Sequence, residues 1–132
     1  MPSRYFSLQE ANDLVPWLKE TFNRLIPLIK KAGLGQRELL ELLRETKRNG
    51  ASSSDTLISA NQQEVNELGE RLNAMLRQVT DNGIVVRDAE RGLVDFPSLR
   101  DGREICLCWI PEEDEVRFWH EIDAGFAGRQ PL

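Results

Sequence analysis

The sequence predicts an α+β fold: a long-helix hairpin or a three-helix arrangement packed on a C-terminal, three- to four-stranded antiparallel meander. Three observations carry this expectation. Apolar residues recur at alternating spacings of three and four up to about residue 82. After Gly83 that rhythm gives way to short β-branched and aromatic runs separated by turn residues. Amphipathic helices and a one-sided sheet each need a cover, and here each can supply the other's. The expected organisation is one domain over 1–132, with a helical part at 7–82, a sheet at 84–121 and a Gly/Arg tail at 122–132.

The first helix opens at Ser7, where Ser7-Leu8-Gln9-Glu10 has the form of a capping box and Phe6 can staple the entry. Leu8, Ala11, Val15, Leu18, Phe22, Leu25 and Ile29 then form a heptad-like seam. Pro16 and Pro27 interrupt it, and each removes an amide hydrogen and crowds the carbonyl four residues back, so kinks or a break are expected. Gly33-Leu34-Gly35 is a weak point before the Leu-rich stretch 36–48, which can be a continuation or a separate helix. Asn49-Gly50 reads as a left-handed cap and 50–55 as a mobile polar loop. A further helix is expected from about Ser59 to Asn82, with Val65, Leu68, Leu72, Met75 and Val79 as its seam.

The strands follow in short order. Ile84-Val85-Val86 is the first, and Leu93 to Phe96 the second, ended or placed at an edge by Pro97. Asp101-Gly102 signals a tight hairpin into Glu104–Ile110, and Glu115–Glu121 is the last strand. Pairing Ile105, Leu107 and Trp109 with His120, Phe118 and Val116 makes one face consistently apolar. That register puts His120 on the core face and sets Cys106 and Cys108 apart from it, beside Arg117 and Trp119.

Composition excludes several functions. The chain has 132 residues, 40% hydrophobic and 30% charged, and its net charge is −5. Phosphate-backbone binding needs clustered Lys/Arg, and the best cluster, Lys47-Arg48, suits a helix C-terminus, so no nucleic-acid partner is expected. No apolar run reaches the length of a membrane span and the N-terminus lacks a signal stretch, so a cytoplasmic location and no membrane partner are expected. Cys106 and Cys108 lie two apart in a strand and are read as reduced, buried thiols.

Four C-terminal blocks are distinctive: Gly92-Leu-Val-Asp-Phe-Pro97, Gly102-Arg-Glu-Ile-Cys-Leu-Cys-Trp109, Phe118-Trp-His-Glu121 and Gly125-Phe-Ala-Gly-Arg-Gln-Pro131. With the opening Tyr5-Phe-Ser-Leu-Gln-Glu-Ala-Asn12, they make the chain resemble the prokaryotic domain-of-unknown-function 2203 family over nearly its whole length. The resemblance implies a family without an assigned activity, so it carries no catalytic role to any residue.

The candidate chemistry is therefore read from residues. His120 is the sole histidine, with Glu121 and Asp123 beside it and Asp95 within reach in the sheet, which suits proton transfer. Gly125, Phe126, Gly128 and Arg129 form a tail element that can present backbone amides and a guanidinium to an anion. Trp119 can line the same pocket. The plainer alternative for each is structural: a hydrogen-bonded histidine, a tail tucked by Phe126, an Arg129 paired with a carboxylate, and Glu112–Glu115 as a solvated turn. No cofactor and no metal are expected from spacing alone. Two functional readings stand. The first is a non-enzymatic binding or assembly protein, a homodimer through its helical seams. The second is a small enzyme or anionic-ligand-binding domain around His120, Asp95, Trp119 and Arg129, with metal dependence left open.

Overall fold

A computed structural model describes residues 2–49 and 55–132. Two helices, α1 (Leu8–Asn49) and α2 (Asp55–Asp81), precede five strands: β1 (Val85–Asp88), β2 (Leu93–Arg100), β3 (Arg103–Trp109), β4 (Phe118–Glu121) and β5 (Gln130–Pro131). The strands form one antiparallel sheet in chain order, so the fold is α+β with a simple meander. No described helix is long and apolar enough to cross a membrane. The expected Asn49-Gly50 cap and the 50–55 loop rest on residues outside the described set.

The expected break of α1 does not occur: the helix runs through both prolines for 42 residues. Pro16 and Pro27 are both exposed, so water can reach the carbonyls their missing amides leave free. The capping box forms as anticipated. Ser7 Oγ accepts from the Glu10 amide at 3.0 Å, and Glu10 Oε1 accepts from the Ser7 amide at 2.9 Å.

The chain divides into two compact units. One comprises Met1–Ile26 and Met75–Leu132 and contains the sheet. There the α1 seam is enclosed: Ala11, Val15, Leu18, Phe22 and Leu25 are all buried. They face the sheet side formed by Val94, Phe96, Leu107, Trp109 and Trp119, to which Phe6 adds an edge-on contact with Phe96 at 5.1 Å between centroids. Asn12 Oδ1 accepts from the Val116 amide at 2.6 Å, tying α1 to the approach of β4. Gly92 has φ 70, and a Cβ there would lie 2.5 Å from the Pro111 ring and 3.3 Å from Phe22. Both the backbone and the space require glycine.

The other unit, Pro27–Ala74, is a helical hairpin. At Gly35 the two helices approach closely, and a Cβ there would meet Val65 Cγ2 at 3.0 Å. The Gly33–Gly35 stretch, read from sequence as a weak point, thus lets two helices come together. Asn61 Nδ2 donates to Glu38 Oε2 at 3.3 Å nearby. Among the described residues of this unit, Leu68 alone is buried.

Three strand expectations need correction. β2 continues through Pro97 to Arg100. In an antiparallel strand a residue's N–H and C=O point the same way, and the Pro97 carbonyl accepts from the Phe6 amide at 2.7 Å. The missing N–H of Pro97 therefore points away from β3 and breaks no ladder bond. The tail adds a fifth strand, with Phe118 opposite Pro131 and Trp119 opposite Gln130. The β3–β4 register is one residue from the expected one, pairing Cys106 with His120 and Leu107 with Trp119. The expectation assumed a single buried face. In fact Ile105 through Trp109 are all buried, so both sheet faces are covered and alternation cannot choose between registers. The Asp101-Gly102 hairpin has positive φ at both residues, 52 and 78, as a two-residue primed turn requires.

Candidate functional site

The register places Asp95, Cys106, Cys108, Phe118 and His120 on the sheet face opposite α1. His120 is therefore not on the helix-covered face, and the two cysteines that the expected register set apart from it lie beside it. Trp119 sits on the other face, opposite Leu107, and does not line this site.

β1 carries a bulge. Val86 pairs with Val94 and Asp88 with Leu93, so Arg87 is the extra residue. Bulges re-aim side chains, and here the Arg87 guanidinium meets the Asp95 carboxylate, Nε to Oδ2, at 2.8 Å. The other carboxylate oxygen, Oδ1, lies 2.9 Å from His120 Nε2. His120 Nδ1 faces the Glu121 carbonyl at 2.7 Å. Asp95 and His120 are each 1% exposed, while about half of the Arg87 side chain reaches solvent.

Hydrogen-bond chemistry limits the protonation of this chain. A carbonyl oxygen only accepts, so Nδ1 donates to Glu121. One buried carboxylate thus bridges the Arg87 guanidinium and the His120 ring. The thiols respond to the same field. Burial first, then the Asp95 charge, pushes the Cys108 thiol up to about 12, and Cys106 rises for the same two reasons. Both are neutral thiols at physiological pH, not poised nucleophiles.

The tail roofs the cluster. Gly125, at φ 67, turns the chain into a single 3₁₀ turn at Phe126–Gly128. A cavity of about 220 Å³ lies beneath, lined by Arg87, Leu93, Asp95, Cys108, His120, Ile122, Asp123, Gly125 and Phe126. A second cavity of about 400 Å³ is walled by Cys106, Tyr5 and Glu104 and shares Arg87 and Ile122 with the first. Tyr5 Oη donates to the Glu104 carboxylate there.

Of the residues the sequence singled out, His120, Asp95, Gly125 and Phe126 come together. Gly128 packs where a Cβ would meet Ala124 at 2.7 Å, outside the cavity lining. Arg129 is engaged elsewhere. Its Nη2 donates to Glu113 Oε1 at 2.7 Å and to the Cys108 carbonyl at 3.3 Å, and its guanidinium stacks on Phe118 and Phe126. Glu113 also accepts from the Ile110 amide at 3.0 Å, so it braces the β3–β4 turn and is not a solvated charge. Arg87 was missed. Its charge stood alone in a β-branched run, and only an unmatched residue between Val86 and Asp88 aims it at Asp95.

The family described as "Uncharacterized conserved protein (DUF2203)" matches residues 4–132. No curated protein and no solved structure matches the chain.

Proposed function

The chain belongs to the DUF2203 family of uncharacterised conserved proteins, and from that premise we propose a small-ligand-binding role centred on the cavity over Arg87, Asp95 and His120. The single observation behind this reading is the Arg87–Asp95–His120 chain lining that cavity, with about half of the Arg87 side chain open to solvent. Buried charges cost several kcal/mol of desolvation each unless paired. Asp95 pairs with one edge of the Arg87 guanidinium and leaves the outer edge for an incoming anion. Arg87 engages Asp95 through Nε, and its outer nitrogens have no carboxylate partner among the described residues. They form a fork suited to a carboxylate or phosphate oxygen. The 220 Å³ cavity is smaller than the ~300–1,000 Å³ of drug-sized sites, which suits a compact anion.

The test is thermal unfolding with phosphate, sulfate and acetate titrated in the presence of a chelator, with chloride as the ionic-strength control. Specific binding raises the unfolding temperature with the logarithm of anion concentration. Arg87→Gln abolishes that rise. An equal response in wild type and Arg87→Gln removes the reading.

Assembly is a second reading, favoured by a separate observation. Among its described residues the hairpin Pro27–Ala74 buries one side chain, Leu68, and leaves Leu34, Leu40, Leu43 and Leu57 at 45–60% exposure. Two such hairpins can complete a four-helix bundle. Sedimentation at several concentrations tests this, and a strict monomer at high micromolar concentration ends it.

A further inference from the structure

We infer that Asp95, Cys106 and His120 form a three-ligand site for a borderline transition-metal ion, zinc being the fitting example. The inference goes beyond the anion reading and does not depend on it. The three potential ligand atoms lie within 4.8 Å of one another, all on buried residues. Tetrahedral zinc bonds of about 2.0 Å to N and O and 2.3 Å to S place such atoms roughly 3.5 Å apart. Closing the present spacing takes side-chain rotation of about 1 Å.

Proximity alone would be weak. The stronger observation is how two of the ligands are held from outside the cluster. His120 Nδ1 is fixed by the Glu121 carbonyl, which leaves Nε2 as the inward atom. Asp95 Oδ2 is fixed by Arg87, which leaves Oδ1 inward. A backbone carbonyl on the far histidine nitrogen and a partner on the far carboxylate oxygen are the outer-shell arrangement that orients metal ligands. The N/O/S set selects a borderline ion over magnesium or calcium, which take oxygen. Three protein ligands leave a fourth position for water or an exchangeable group, as in reactive rather than closed structural sites. Coordination requires Cys106 Sγ as a thiolate and a free lone pair on His120 Nε2, so the metal competes with protons and affinity falls as pH falls.

Cobalt(II) added to chelator-stripped protein is the probe. The expected result is one cobalt per chain, with a thiolate-to-cobalt charge-transfer band in the near ultraviolet and tetrahedral d–d bands in the visible. Cys106→Ala loses the charge-transfer band and Cys108→Ala keeps it. Arg87→Gln keeps the band but weakens binding by about 10- to 100-fold, the usual effect of removing an outer-shell partner. X-ray absorption of zinc-loaded wild type needs no variant and should show one sulfur at about 2.3 Å. A first shell of nitrogen and oxygen alone, or a band that follows Cys108, overturns the site. Because the anion test runs with chelator, either proposal can fail without the other.

Discussion

The sheet-containing unit and the helical hairpin draw on the same long helices yet hold themselves together differently. In the first, the α1 seam residues Ala11, Val15, Leu18, Phe22 and Leu25 are enclosed at 0–3% exposure against a sheet buried on both faces. In the second, the same helix carries Leu34, Leu40 and Leu43 about half in water, and Leu68 alone is buried among the described residues. Helices with so little tertiary burial lean on local propensity and on continuity with what flanks them. Every group of the Arg87–Asp95–His120 chain lies in the densely packed unit. Ligand geometry has to be held to fractions of an ångström, and only locked rotamers on paired strands do that.

The contrast can be broken by experiment. Phe96→Ala in the enclosed sheet should cost about 3–5 kcal/mol in urea unfolding. A loss below about 1 kcal/mol would mean the helix–sheet core is not the main source of stability. Asp95→Asn keeps the shape but strands Arg87 and His120 without their shared carboxylate. A loss of about 3 kcal/mol in urea unfolding is expected. A neutral outcome would make the chain dispensable to the fold.

A smaller effect comes from the thiols. The folded Cys108 holds its proton to about pH 12, whereas an unfolded thiol releases it near 9.0. Between those values the unfolded state binds fewer protons, so stability falls as pH rises, and below pH 9 the contribution is fully present. Cys108→Ala should flatten that alkaline slope relative to wild type in denaturation midpoints from pH 8 to 11. The smallest effect is expected from Leu40→Ala in the hairpin, within about 0.5 kcal/mol for an exposed site. A larger loss that depends on protein concentration would sharpen the contrast in another way, by revealing a second copy over the leucines.

Local chemistry was legible in the sequence, and long-range chemistry was not. Ser7-x-x-Glu10, the Asp101-Gly102 turn and the seam from Ala11 to Leu25 each rest on contacts a few residues apart or on one helical period, and all three appear in the fold. The β3–β4 register depends on which face is buried. With Cys106, Leu107 and Cys108 all enclosed, the pattern carried no choice. The same one-residue step moved His120 next to Cys106 and took Trp119 away from it, so the site turned on the weakest signal in the chain. Arg87 and the two-residue β5 had no local signature, since a bulge and a short pairing are properties of the partner strand as much as of their own residues.

The seat of Phe6 on β2 also bears on solubility. Beyond Asp95 the first strand has ended, and the flank of β2 would otherwise offer a template for fibril growth. Phe6 occupies the Pro97 carbonyl and receives the Ser98 hydroxyl at 2.6 Å, while the proline ring has no hydrogen to donate to a newcomer. The buried β2 residues beyond the β1 pairing, Phe96 to Ser98, are thereby withheld from intermolecular stacking by the N-terminal segment.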